Sequence, residues 1–159
     1  MNKPAVREQI LHQLRNELAL QTRAARLSHE EAISEESKPE NQYDMHSQEA
    51  AYLAEGQARL AAEIAENIAL YETLVIPPNG AEGLVALGTA VAVENSGRRA
   101  WYFIGPRAGG LELEVDGVPV LVLTPQSPLG RELLGKRVGE TVRVQARGGH
   151  GIQNIAEIL

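Results

Sequence analysis

The feature that most constrains the fold is an alternating spacing of three and four residues in the first half of the chain. In the later part of that half, the spacing runs through positions that are apolar except for one glutamine: Ala50, Ala54, Gln57, Ala61, Ile64, Ile68, Tyr71 and Val75. A weaker series with the same spacing precedes it: Leu11, Leu14, Leu18, Gln21, Ala25, Ser28 and Ala32. This spacing places each series along one face of a helix and is typical of a coiled coil.

The two series predict an antiparallel helical hairpin, because opposed residues in such a pair have numbers that add to a constant. The pairs that add to 78 or 79 are Leu11 with Ile68, Leu14 with Ile64, Leu18 with Ala61, Gln21 with Gln57, Ala25 with Ala54, and Ser28 with Ala50. The centre of these pairs is Pro39, which disfavours helical geometry at Lys38 and has no N–H to donate. Arms of ~30 residues would extend roughly 45 Å. We therefore expect a projecting rod with the acidic segment 35–44 at its tip.

The composition changes after the linker "VIPPNGAEG". Glycine becomes frequent there, and apolar residues alternate with others in stretches such as "TAVAVEN" and "ETVRVQA". Alternation with a period of two is typical of half-buried strands. The chain is therefore predicted to be an α+β protein, with a helical hairpin over 1–75 and a small β domain over 76–159.

Charge and composition exclude several classes of function. The net charge is −6, and all of this excess lies in residues 1–75, so a basic surface for nucleic-acid phosphates is disfavoured. The chain has no cysteine, which excludes disulfides and thiolate metal sites. It also lacks an apolar run of membrane-spanning length and the apolar core of a signal peptide. We expect a cytoplasmic protein that does not bind a membrane.

The stretch "SPLGRELLGKRVGETVRV", residues 127–144, resembles the Ser-Pro-x-x-x-x-Leu-Leu-Gly-Lys-x-x-Gly-Asp-x-Val pattern of the bacterial Gre transcript cleavage factors. With the acidic-tipped hairpin, the resemblance covers nearly the whole chain. It implies that the β domain is FKBP-like, an antiparallel sheet against one short helix. The sequence suits such a helix, with Ser127 as its N-cap, Pro128 at its first position and Gly135 at its end.

The resemblance also implies a mechanism. Gre-like proteins insert the hairpin into the secondary channel of bacterial RNA polymerase and promote cleavage of backtracked RNA, with only indirect contact to the RNA 3′ end. Glu36 and Glu40 match the two tip carboxylates that help hold a Mg²⁺ ion shared with the polymerase, and Asp44 is a possible support. The polymerase-docking residues by motif match are Gln126, Ser127, Pro128 and Leu129. Such a factor is a monomer with no cofactor of its own, and it stimulates the polymerase's nuclease rather than acting as an enzyme.

The tip departs from the family pattern, and alternatives follow from this. Pro39 looks like an inserted residue, and Glu35 stands where the family has glycine. A secondary-channel regulator that does not promote cleavage is therefore a second interpretation. A third, from another class, is an FKBP-like peptide-binding module or prolyl isomerase. Its pocket would need aromatics, but Trp101, Tyr102 and Phe103 are consecutive in one predicted strand and cannot all face the same way.

Overall fold

A computed structural model of the chain describes residues 1–36, 45–79, 83–95, 97–146 and 149–159. Two long helices come first, α1 over Lys3–Glu36 and α2 over Met45–Glu72. The side chain of Asn2 accepts a hydrogen bond of 3.2 Å from the N–H of Ala5 and so caps α1. Pro4 lies in the first turn, where its missing N–H costs no intrahelical bond. Among the described residues, no helix is long and apolar enough to cross a membrane.

The described chain forms two compact units. One, the hairpin unit, is His12–Ala69, and the other, the sheet unit, combines Met1–Leu11 with Leu70–Leu159. The first turns of α1 and the last turn of α2 thus belong with the β strands. This division falls at different residues from the predicted boundary between positions 75 and 76.

Chain length explains why the hairpin unit is antiparallel. The 34 residues of α1 span roughly 50 Å, whereas the segment between Glu36 and Met45 can bridge at most about 30 Å. A parallel return is therefore impossible. The predicted seam is also the covered face of both helices, because Leu14, Ile64 and Ile68 are buried. The predicted helical hairpin is confirmed.

The predicted register of the hairpin is wrong. The hydroxyl of Ser28 donates a hydrogen bond of 3.1 Å to the side-chain oxygen of Gln57, although Ser28 was expected opposite Ala50 and Gln57 opposite Gln21. In the predicted register, Ser28 and Gln57 would be about 10 Å apart along the helix axis. The physical reason is the alanine-rich seam, since short side chains interlock weakly and do not select one register.

The sheet unit contains six strands and a short helix, α3. The strands are β1 Ala90–Asn95, β2 Arg98–Ile104, β3 Glu112–Val115, β4 Val118–Leu123, β5 Thr141–Ala146 and β6 Gly149–Ile158, and α3 is Pro128–Leu133. Their order in the sheet is β3-β4-β2-β1-β6-β5. Asp116 and Gly117, both with positive φ, form the two-residue turn between β3 and β4. This is the geometry that Asp-Gly favours in tight hairpins.

The predicted α+β class is confirmed, with one correction to the strand directions. Four of the strand pairs are antiparallel, but β2 and β4 run parallel, with Trp101 opposite Val120 and Ile104 opposite Leu123. The cause is the order of the strands. After β2 the chain passes to the sheet edge for β3 and returns as β4 between them, so two reversals restore the original direction.

One core cluster of the sheet unit lies between α3 and one face of the sheet. Its buried members alternate along the strands, as the pattern predicted, and they are Val85, Val91, Val93, Tyr102, Ile104, Leu123, Leu133, Val142 and Ile155. The ends of the long helices bring further buried side chains to this unit, including Val6 and Ile10. The side-chain amide of Gln9 donates a 2.8 Å hydrogen bond to the carbonyl of Glu114 in β3.

Candidate functional site

The segment at residues 126–129, which we call the docking loop, leads into α3 and is organised by Ser127. The Ser127 hydroxyl accepts a hydrogen bond of 3.0 Å from the N–H of Gly130 and donates one of 2.8 Å to the carbonyl of Thr124. The backbone N–H of Ser127 also donates to the Thr124 carbonyl, at 3.0 Å. Ser127 is the N-cap and Pro128 occupies the first turn. Both predicted positions are confirmed.

Gly130 allows the docking loop to close tightly. A Cβ atom at this position would lie 2.0 Å from the carbonyl oxygen of Thr124 and 2.7 Å from the hydroxyl of Ser127. Any other residue would therefore push the backbone of the loop apart. Sequence reasoning missed this role, although the glycine stands three residues after the cap. The signal was its placement inside a helix, where glycine is otherwise unfavourable.

The docking loop presents two of its four side chains to solvent. Gln126 and Pro128 are exposed, whereas Ser127 is half-buried in its hydrogen bonds. Leu129 is also half-buried and packs against the core. The backbone that carries Gln126 and Pro128 is therefore held by the packing of Leu129 and by the hydrogen bonds of Ser127.

The C-terminal end of α3 is also held by backbone hydrogen bonds. Gly135 has a φ of 75°, the left-handed conformation expected after a helix end, and its N–H donates a 2.9 Å hydrogen bond to the carbonyl of Val85. The N–H of Val85 in turn donates to the carbonyl of Lys136 at 2.9 Å. The predicted role of Gly135 as a helix stop is confirmed.

The predicted tip residues fall at the limit of the described chain. Glu36 is the last residue of α1, and only its backbone is described. Glu40 and Asp44 lie outside the described residues. Within the described parts of the chain, no group of three or more histidine, aspartate or glutamate side chains is placed to hold a metal ion. The tip therefore stays a prediction from the sequence.

Tyr71 is a structural anchor whose partners the sequence did not reveal. Its side chain is completely buried, and its hydroxyl donates a hydrogen bond of 2.7 Å to the carbonyl of Arg107. A Cβ atom at Gly105 would lie 2.0 Å from that hydroxyl, so the glycine makes room for the ring. Burial raises the pKa of Tyr71, and the hydrogen bond that its hydroxyl donates to Arg107 favours the same neutral form.

The three consecutive aromatics of β2 do not form a peptide-binding pocket. Tyr102 and Phe103 are both buried, as expected for core residues of a sheet that is covered on both faces. Burial also raises the pKa of Tyr102. Trp101 is half-buried and lines an open surface cleft with Arg99 and Pro119. With two of the three rings committed to the core, the prolyl-isomerase interpretation loses its aromatic lining.

Comparison with known proteins places the second half of the chain in one family. Residues 80–159 match the family described as "Transcription elongation factor, GreA/GreB, C-term", a match that contains the docking loop. The chain is also 29% identical over 116 residues to the "Transcription elongation factor GreA" of Thermomicrobium roseum. That alignment covers 73% of this chain and 68% of the relative.

Two similar solved structures are those of Gfh1, titled GreA factor homolog 1, from Thermus thermophilus and Gfh1 from Thermus aquaticus. The first is 19% identical, covers 94% of this chain and 94% of its own, and superposes with a TM-score of 0.38. The second is 24% identical, covers 95% of this chain and 92% of its own, and has a TM-score of 0.41. At these scores the superpositions add nothing to the family match.

Proposed function

Because this chain belongs to the GreA/GreB family of transcription elongation factors, we propose that it binds bacterial RNA polymerase and places its hairpin in the secondary channel. The observation that carries the proposal is the docking loop, which lies inside the matched family segment. The loop offers an exposed glutamine and an exposed proline on a fixed backbone.

The rigidity of the docking loop suits it to recognition of a partner. The Ser127 hydroxyl satisfies two backbone groups of the loop, and Gly130 keeps the turn closed. A surface that is already ordered loses little conformational entropy on binding, so more of its contact energy is available for affinity. Gln126 would supply amide hydrogen bonds to the polymerase, and Pro128 would supply apolar contact.

The tip carboxylates would carry the chemical part of the function. Glu36 and Glu40, with Asp44 as support, offer the carboxylate oxygens that a hard cation such as Mg²⁺ prefers. Bound by these residues together with the polymerase, the ion would activate water for phosphodiester hydrolysis. The role of this chain is to bring ligands to the polymerase's active site, so it is a stimulating factor and not itself an enzyme. The proposal implies a monomer that acts in the cytoplasm.

The distribution of charge along the chain supports an indirect contact with RNA. The chain carries 21 acidic against 15 basic residues, and the acidic excess lies in the half that contains the hairpin. A negative hairpin repels nucleic-acid phosphates. Affinity for the complex must therefore come from the polymerase protein, while the tip contributes ligands to the metal.

The proposal is tested in stalled, backtracked elongation complexes with the cognate polymerase. The variants are Glu36→Ala/Glu40→Ala, Pro128→Glu, and a matched control, Glu55→Ala/Glu66→Ala, which removes two exposed carboxylates of α2 away from the tip. We expect the wild type and the control to accelerate RNA cleavage, the tip variant to bind without accelerating it, and the Pro128 variant to bind poorly. Failure of the wild type to bind the polymerase would refute the proposal.

A channel-binding regulator that does not promote cleavage is the second candidate. Pro39 lengthens the tip by one residue relative to the family pattern, and Glu35 replaces its glycine. With either change, Glu36 and Glu40 would bind the polymerase channel with their carboxylates out of reach of the metal ion. Wild-type protein that binds the polymerase with normal affinity but leaves the cleavage rate unchanged would establish this candidate over the first.

A further inference from the structure

Both hairpin helices carry a second apolar series, separate from the seam that joins them. In α1 it consists of Leu20, Ala24 and Leu27, and in α2 of Leu53, Gly56 and Leu60, with spacings of four and three residues. The four leucines are exposed to 67%, 56%, 56% and 39%, in chain order. Exposed leucines at coiled-coil spacing indicate a surface that a further helix can cover. We call these six residues the leucine face.

Helix geometry places the six residues on one side of the hairpin. Leu20 and Leu27 directly precede the seam residues Gln21 and Ser28, and Leu53 and Leu60 directly precede seam residues of α2 in the same way. The two-fold axis that relates antiparallel helices is normal to their common plane. Residues that directly precede the seam in α1 therefore lie on the same side of the pair as residues that directly precede the seam in α2.

The leucines also lie at matching levels along the hairpin. The hydrogen bond between Ser28 and Gln57 sets these two residues at nearly the same level. Leu27, which precedes Ser28, then lies between the levels of Leu53 and Leu60, about 3 Å along the axis from Leu60 and about 7.5 Å from Leu53. The leucines of the two helices thus form one continuous surface.

Gly56 supports the view that something approaches this surface. A glycine inside a helix lowers helix stability relative to alanine, yet a Cβ atom at Gly56 would have no neighbour within 4 Å. The packing of the chain on itself therefore does not require glycine here. Gly56 and Ala24 have the smallest side chains of the leucine face and lie between its leucines. A partner helix could therefore approach closely at these two positions.

The charges around the leucine face identify the chemistry of that partner. Glu17 and Glu31 flank the series in α1, and Glu49 and Glu63 flank it in α2, three or four residues from the nearest leucine and all exposed. By the same spacing they share its side of the hairpin with one exposed arginine, Arg23, which the carboxylates outnumber. A second copy of the chain would set carboxylates against carboxylates, which opposes association.

We propose that the leucine face is the docking site for an amphipathic helix of a partner protein, one that carries an apolar stripe with Lys or Arg near both ends. The distance along α1 from Glu17 to Glu31 is about 21 Å, so the partner segment comprises about four turns. This helix-in-groove binding is independent of the docking loop and of the tip.

The test uses the full chain and a fluorescent synthetic peptide of about 18 residues with leucines at i, i+3, i+4, i+7 positions and lysines at both ends. Anisotropy titrations compare the wild type with Leu27→Gln/Leu60→Gln and with Ile33→Gln, a control that alters an exposed apolar residue of α1 outside the leucine face. We expect saturable binding to the wild type and the control, and a loss of at least roughly tenfold in the leucine variant. Glu17→Gln/Glu63→Gln should weaken binding and reduce its dependence on salt.

Several outcomes would overturn the proposal. Equal binding of the peptide to the wild type and the leucine variant would show that the face is not the site. Failure of the peptide to bind the wild type would also refute the proposal. Sedimentation that shows a wild-type dimer, abolished by Leu27→Gln/Leu60→Gln, would assign the face to a second copy of the chain instead. Circular dichroism of the leucine variant verifies that its helices are retained.

Discussion

Replacing Ser127 with alanine tests whether one hydroxyl holds the docking loop together. The change removes the hydrogen bond of 3.0 Å from Gly130 and the hydrogen bond of 2.8 Å to Thr124. Loss of an N-cap acceptor costs about 1 kcal/mol, and loss of a donor to a half-buried carbonyl costs about 1 kcal/mol more. We therefore expect Ser127→Ala to lower the free energy of unfolding by about 2 kcal/mol.

Urea unfolding followed by the fluorescence of Trp101 measures this loss. Trp101 is the single tryptophan of the chain and lies in β2, so its signal reports on the sheet unit. A fall in the midpoint with an unchanged slope would indicate a true loss of stability.

Two further substitutions at Ser127 separate the two bonds. Ser127→Thr keeps both hydrogen-bonding functions and should remain close to the wild type. Ser127→Asp keeps the acceptor for Gly130 but cannot donate to Thr124, so it should fall between wild type and alanine. A cost below about 0.5 kcal/mol for Ser127→Ala would refute the reasoning, because the N-cap alone is worth more than that at most helix starts.

Substitutions at three further positions test the packing of the sheet unit. Tyr71→Phe should lower the free energy of unfolding by about 1 kcal/mol through loss of the bond to Arg107. Because the pKa of Tyr71 is raised above its ordinary 10.0, the wild type should lose stability as pH rises above 10, and urea titrations should show a smaller loss in Tyr71→Phe. Gly105→Ala should lower the free energy of unfolding by roughly 2 kcal/mol or more, as overpacking does. The loss should be smaller when Tyr71 is already phenylalanine, because the added methyl group clashes with the tyrosine hydroxyl. Equal losses in the two backgrounds would contradict this explanation. Leu133→Ala, which empties a buried site under the sheet, should cost about 2–5 kcal/mol in the same assay, and a cost under about 1 kcal/mol would show that α3 is not part of the core.

Local rules of sequence predicted much of this fold. The three-and-four spacing of apolar residues predicted both long helices and the face of each that is buried. The order Ser127, Pro128 and Gly135 identified the start and end of α3. These features depend on residues that are neighbours in the chain, for which backbone preferences and hydrogen-bonding groups decide the conformation.

The features that the sequence did not predict depend on distant residues. The alanine-rich seam allowed more than one register, and the bond between Ser28 and Gln57 decides among them. The parallel pairing of β2 and β4 follows from where β3 lies, which alternation alone does not encode. The close approaches at Gly105 and Gly130 are tertiary contacts, so each glycine looked like an ordinary loop or helix residue until its neighbours were placed.

The most direct test of the account is the affinity of the chain for its cognate core RNA polymerase, compared with that of Gln126→Glu/Pro128→Glu. A matched control, Gln13→Glu/Pro78→Glu, makes the same chemical changes at an exposed glutamine and proline outside the docking loop and far from the tip. The account predicts saturable binding of the wild type and the control, with affinity reduced at least roughly tenfold in the docking-loop variant while its urea midpoint is unchanged. Equal affinities of all three proteins, or no binding by the wild type, would contradict it.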